Sequence, residues 1–111
     1  MHMKSLILFF LLSYGMANAA VLECKSFINM EEINSTTVVT SLKDKILVAQ
    51  DELSISYVTE VKPNIFSLES FIPSLEVRIY SESQLNNTDD TLKATAWARD
   101  FIIERVCKKI K

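Results

Sequence analysis

Residues 53–81 constrain this chain more than any other stretch. Leu53, Ile55, Tyr57, Thr59 and Val61 alternate with Ser54, Ser56, Val58 and Glu60, the two-residue period of a half-buried strand. Lys62-Pro63-Asn64 interrupts the run, because proline presets φ for a turn and asparagine tolerates the tight backbone after it. In residues 65–71, Phe66 and Leu68 share one face, and Ser67 and Glu69 the other. After Ile72-Pro73-Ser74, Leu75, Val77 and Ile79 alternate with Glu76, Arg78 and Tyr80. Three strands joined by short proline turns make an antiparallel meander with one face for a core and one for water. The pattern predicts a core of Leu53, Ile55, Tyr57, Phe66, Leu68, Leu75, Val77 and Ile79.

The rest of the chain extends this β reading. Residues 21–28 form a first strand, with Leu22, Cys24, Ser26 and Ile28 on one face. Asn29-Met30-Glu31-Glu32 reads as a connection. Residues 34–42, almost all Ser, Thr and Val, favour a strand. A short apolar strand follows at residues 46–49, and residues 84–90 are rich in turn formers and read as the longest loop.

Residues 91–110 admit two readings. As a helix they place Asp89 and Asp90 near the first turn and lysines near the last, but leave Trp97 and Phe101 in water opposite the apolar stripe. As two strands, residues 92–99 and 101–110, they let Trp97 cover a sheet face. The strand reading is preferred. The expected architecture is therefore all-β, a small antiparallel β-sandwich or partly open barrel of about seven or eight strands, the alternative being α+β with a C-terminal helix on the sheet.

Residues 1–19 read as a signal peptide. Lys4 supplies a positive start, residues 6–12 an apolar run, and Ala17-Asn18-Ala19 the small-x-small pattern of a cleavage site. The apolar run is far short of the ~20 residues that span a bilayer. Residues 20–111 then form a single β-rich domain. The leader carries away His2 and Gly15, the only histidine and the only glycine. What remains has no Gly-rich phosphate cradle, no Ser-His or Cys-His pair and no His-based zinc site. Its turns must rely on asparagine, aspartate and proline.

Charge is nearly balanced, at −2 overall, and the basic residues are scattered. That pattern argues against nucleic acid and against an anionic membrane surface as partners. The candidates for chemistry are few. Glu60, Glu69, Glu76 and Glu82 would be the carboxylates of a histidine-free hydrolase, but all fall on the polar side of the alternation and read as exposed charge. Asn86, Asn87, Asp89 and Asp90 offer oxygen ligands for calcium, yet lack the spacing and glycine of a known calcium loop, so no metal and no cofactor is expected. Asn34 and Asn86 begin formal N-glycosylation sequons.

Cys24 and Cys107 are the only two cysteines. Export and an even count make a disulfide between them the expectation. The bridge requires the first and last elements to be neighbours, paired in one sheet or facing across the core.

Leu22-Glu23-Cys24-Lys25, the Ile72-Pro73-Ser74 turn before Val77-Arg78-Ile79-Tyr80, and Trp97-Ala98-Arg99-Asp100 leading to Val106-Cys107-Lys108 resemble small exported two-cysteine β proteins of Gram-negative bacteria of the Bdellovibrio type. That resemblance supports the two-strand C-terminus and carries over no activity and no site residue. The expected function is a non-catalytic secreted or periplasmic binding or structural domain, a monomer without membrane insertion, whose partner is a protein or cell-envelope component. A secreted hydrolase inhibitor inserting Pro63-Asn64 or residues 84–90 is the alternative, and a carboxylate-only enzyme ranks last.

Overall fold

The computed structural model describes residues 19–111. The expected signal peptide therefore lies outside the described residues except for Ala19. Eight strands follow one another: β1 (Val21–Ile28), β2 (Glu31–Val39), β3 (Lys45–Gln50), β4 (Ile55–Lys62), β5 (Ile65–Ile72), β6 (Val77–Gln84), β7 (Thr91–Trp97) and β8 (Ile102–Lys109). They form two four-stranded sheets, β2-β1-β8-β7 and β3-β4-β5-β6, in which every neighbouring pair is antiparallel. Leu22, Cys24, Leu92 and Cys107 of the first sheet pack against Val48, Val58, Phe66 and Leu68 of the second. This is the all-β sandwich that the alternation predicts.

The C-terminal segment is two strands, with β7 and β8 in register from Thr91↔Lys108 to Trp97↔Ile102. One premise of that preference fails, however. Trp97 covers nothing and stands 76% exposed.

Tight turns form without glycine. Positive φ occurs at Asn29 (52°), Asn64 (67°) and Asp89 (76°), types that tolerate the left-handed region, but also at Met30 (71°), Lys43 (67°) and Glu76 (54°). The reliance on asparagine and aspartate thus accounts for half of these positions. Asn29-Met30 alone joins β1 to β2, with positive φ at both residues as in a type I′ hairpin turn. Glu31 and Glu32, expected in the connection, instead open β2.

The predicted core needs correction on the meander. Phe66 and Leu68 are fully buried, as expected. Ile55 and Tyr57 are only half-buried and lie on the outer side of β4, while Ser54, Ser56, Val58 and Glu60 face inward. Leu53 and Ile79 are half-buried at the margin of a second cluster. Leu75 and Val77 are exposed, because Pro73–Leu75 is a 3-10 turn and Glu76 leaves it in the left-handed conformation. The cause of the β4 inversion lies in the opposite sheet.

Arg105 of β8 points into the sandwich and is 1% exposed. Its Nη2 donates to Asp51 Oδ2 at 2.7 Å and to Ser54 Oγ, and its Nε donates to Ser56 Oγ at 3.0 Å. Ser56 and Ser70 hydroxyls are hydrogen-bonded at 2.7 Å, and Ser26, the cross-strand neighbour of Arg105, is buried beside them. A buried charge is tolerable only when paired and hydrogen-bonded. The serine face of β4 therefore turns inward, and the aliphatic and aromatic face turns out.

Ser56→Ala is expected to cost about 1–3 kcal/mol by orphaning the guanidinium Nε–H, whereas Thr59→Ala on the outer side should stay within about 0.5 kcal/mol. Urea melts of the two variants check this, and equal losses would contradict the assigned faces.

Candidate functional site

The Arg105 layer divides the interior. On one side lies the large cluster that contains the Cys24–Cys107 bridge. On the other lies a small cluster of Ile72, Ala96 and Ile103, with Ile28, Leu53, Ile79 and Phe101 half-buried around it. The small cluster floors one pole of the sandwich, where the β1–β2, β3–β4, β5–β6 and β7–β8 connections gather. Two of these connections are tied together. The Asn29 N–H donates to the Ile102 carbonyl at 2.9 Å, and the Ile102 N–H donates to Asn29 Oδ1 at 3.0 Å. A third is held by Asp51, whose Oδ1 accepts the N–H groups of Leu53 and Ser54 at 2.8 and 2.9 Å.

Large apolar side chains project from this tied-down platform. Met30 is 88% exposed and Trp97 76%, and Leu75 and Val77 are exposed with them. Exposed acids lie at the same end of the sandwich at Glu31, Glu32, Glu52, Glu76 and Asp100, with Arg78 and Arg99 among them. Glu32 is matched by Lys25 at 3.6 Å. Exposed apolar side chains and mainly acidic ones thus share this pole.

The outer face of the second sheet is different, because charged side chains lie over its Tyr57 and Phe71 rings, although Leu47 and Tyr80 stay exposed there. Lys45 lies 5.1 Å from the Tyr57 ring centre and Arg78 lies 5.6 Å from that of Phe71. Glu69 joins the two cations at 3.0 and 3.7 Å. Such cation–π and ion-pair contacts cover the faces of these two rings. Beside them the Tyr80 hydroxyl donates to Glu82 at 2.8 Å, and this bond to a carboxylate raises the phenol above its ordinary pKa of 10.0.

The four candidate carboxylates do not meet. Glu69 and Glu82 lie on the outer face of the second sheet, and Glu76 lies at the apolar pole. Glu60 is neither exposed nor on the polar side. It is 4% exposed and faces inward at the opposite pole, in a cavity of about 590 Å³. Of the turn residues read as possible ligands, Asp90 Oδ2 accepts the N–H groups of Asn86 and Asn87 at 3.0 and 2.9 Å, and Asp89 faces Lys108 of β8 at 3.9 Å. Asn34 and Asn86 are both exposed. The expected disulfide is present. Cys24 and Cys107 are direct cross-strand partners on β1 and β8, with sulfurs 2.08 Å apart.

Sequence reasoning missed Arg105 and the apolar pole. Burial lowers the Arg105 pKa while Asp51 opposes the shift, so the pair is held as an ion pair. The available signal was a recurrence of serines at Ser54, Ser56 and Ser70, hydroxyls that share one side of two neighbouring strands. Among the described residues no helix is long and apolar enough to cross a membrane. No known family model, no curated protein and no solved structure matches the chain.

Proposed function

We propose that this chain is a non-catalytic extracytoplasmic binding domain that engages a protein partner through its apolar pole. Met30 carries the reading. A two-residue turn with positive φ at both positions is the place where glycine is favoured at the second. A methionine there incurs the left-handed penalty of about 1–2 kcal/mol for an L-residue, and its side chain contributes nothing to the core. Backbone strain clusters at functional contacts, and among the described strained non-glycine turn residues Met30 is the one with a large apolar side chain in solvent. Met and Trp on a rigid loop platform are the residue types that anchor protein interfaces. The exposed acids at this pole favour an apolar pocket flanked by basic groups and disfavour an anionic lipid surface. Export and the disulfide support an extracytoplasmic location. If the partner is a hydrolase, inhibition works from this pole, because the Pro63-Asn64 turn and residues 84–90 lie at the other one.

Met30→Gly is expected to raise thermal stability by about 1 kcal/mol, near 4–8 °C for a domain of this size, by removing the left-handed penalty. The same variant, and Trp97→Ser, should weaken partner capture by about thirtyfold, the loss of a ~2 kcal/mol anchor. A photo-crosslinking residue at Trp97 of the exported protein in its own host identifies the partner. Absence of any discrete protein adduct, an adduct insensitive to Met30→Gly, or binding to vesicles of anionic phospholipid would each overturn the reading.

A further inference from the structure

We infer that Glu60 is the built-in counter-ion of an α-ammonium group formed at Ala20 when the leader is cut between Ala19 and Ala20. The inference stands apart from the binding role of the other pole. Glu60 closes the inward row of β4, and its two carboxylate oxygens meet only neutral donors: Thr40 Oγ1 at 3.1 Å and the Asn64 N–H at 3.1 Å. Among the described residues no cation pairs with it, although the group is 4% exposed. Lys109 and Lys111 line the same cavity. Lys109 Nζ is directed elsewhere, to the carbonyls of Leu85 and Asn86 at 3.2 and 3.4 Å. A buried carboxylate held only by neutral groups lacks the compensation that burial demands.

The missing charge has an evident source. The Ala20 nitrogen donates to Thr40 Oγ1 at 3.3 Å, the same oxygen that donates to Glu60, so it stands two hydrogen bonds from the carboxylate. The Thr40 N–H donates to the Ala20 carbonyl at 2.8 Å and fixes that geometry. In the unprocessed chain this nitrogen is a neutral amide with one N–H. Hydrolysis by a processing endopeptidase adds water across the Ala19–Ala20 bond: the C–N bond breaks, Ala19 leaves as a carboxylate, and the Ala20 nitrogen becomes an ammonium with three donors. Ala17-Asn18-Ala19 places the cut at this bond. Ala20 is 5% exposed, so the bond is shielded once the sandwich has closed and cutting precedes closure. Processing thereby completes an interior ion pair, and the domain reaches full stability only after its leader is gone.

Intact-mass measurement of the exported protein, followed by a four-way melting comparison, tests this. Wild type and Glu60→Gln are each exported with the native junction and with a short insertion after Ala19, which leaves Ala20 an internal amide after the cut. The expected results are a mature chain that begins at Ala20 and a melting temperature about 5 °C lower for Glu60→Gln at the native start. At the extended start, Glu60→Gln should leave the melting temperature unchanged or raise it. A mature chain beginning elsewhere, or the same loss at both starts, would overturn the inference. Should Glu60→Gln not accumulate, the extension alone decides: the extended wild type must melt lower than the Ala20-starting protein, and equal melting temperatures would overturn the inference.

Discussion

Asp51→Ala is expected to destabilise the domain by about 3–5 kcal/mol, the cost of leaving a buried charge without its partner. The 2.7 Å contact from Arg105 Nη2 to Asp51 Oδ2 is the only ion pair the guanidinium makes among the described residues. Ser54 and Ser56 then remain as neutral acceptors, while Nη1 has no hydrogen-bond partner among the described residues to begin with. Asp51 also secures the turn into β4, so its loss releases the Leu53 and Ser54 N–H groups as well. The double variant Asp51→Ala, Arg105→Met separates the two effects. Removing both charges leaves the Ser56–Ser70 bond intact and fills the layer with an apolar chain, so much of the stability should return. Guanidinium-chloride unfolding of the three proteins is the measurement. A double variant as unstable as the single one would show that the turn, and not the ion pair, is what Asp51 supports.

Cys107→Ser is expected to cost up to about 4–5 kcal/mol, because the bridge joins residues 83 apart in sequence and closes nearly the whole domain into one loop. That is a large share of the about 5–15 kcal/mol that a domain has in total. Strain and residual denatured-state structure reduce the figure. The two cysteines also hold together the one strand pairing that spans the chain from end to end, β1 with β8, and such non-local pairing is slow to form. Reduced protein should therefore melt well below the oxidised form and refold more slowly. Calorimetry with and without reductant, supported by thiol counting, checks both. Unchanged melting on full reduction would remove the bridge from the account of stability.

Strand positions were legible from punctuation. Pro63-Asn64 stops and restarts the chain where the alternation says it should, Asn29-Met30 does so in two residues where a four-residue connection is expected, and the two cysteines predict that β1 and β8 are neighbours. Orientation was not legible on β4. Alternation tells which residues share a face, but not which face is inside, and the hydrophobic rule fails when a charge across the core recruits hydroxyls. Ser56 reads as solvent-facing until Arg105 is seen opposite it. Leu75 and Val77 were lost for a local reason, since the Pro73 turn and the left-handed Glu76 take Leu75 out of any strand. Trp97 was misjudged by the assumption that a small domain hides its largest side chain, an assumption that binding surfaces violate. Glu60 looked like one more surface acid because only the fold brings Ala20 and Thr40 to it.

The position of the bridge has a mechanical consequence. The Val21 N–H donates to the Lys111 carbonyl at 3.1 Å, so both ends of the described chain leave from the same pole. A pull applied between them would begin to unzip β1 from β8, but it meets the Cys24–Cys107 bond within the first few residue pairs. From there tension runs from Cys24 through the sulfurs to Cys107 and out again. Every residue between the two cysteines is slack, including the Arg105 layer and the apolar pole. Tethered by its ends, the domain transmits load through one covalent link while the opposite pole stays unstretched.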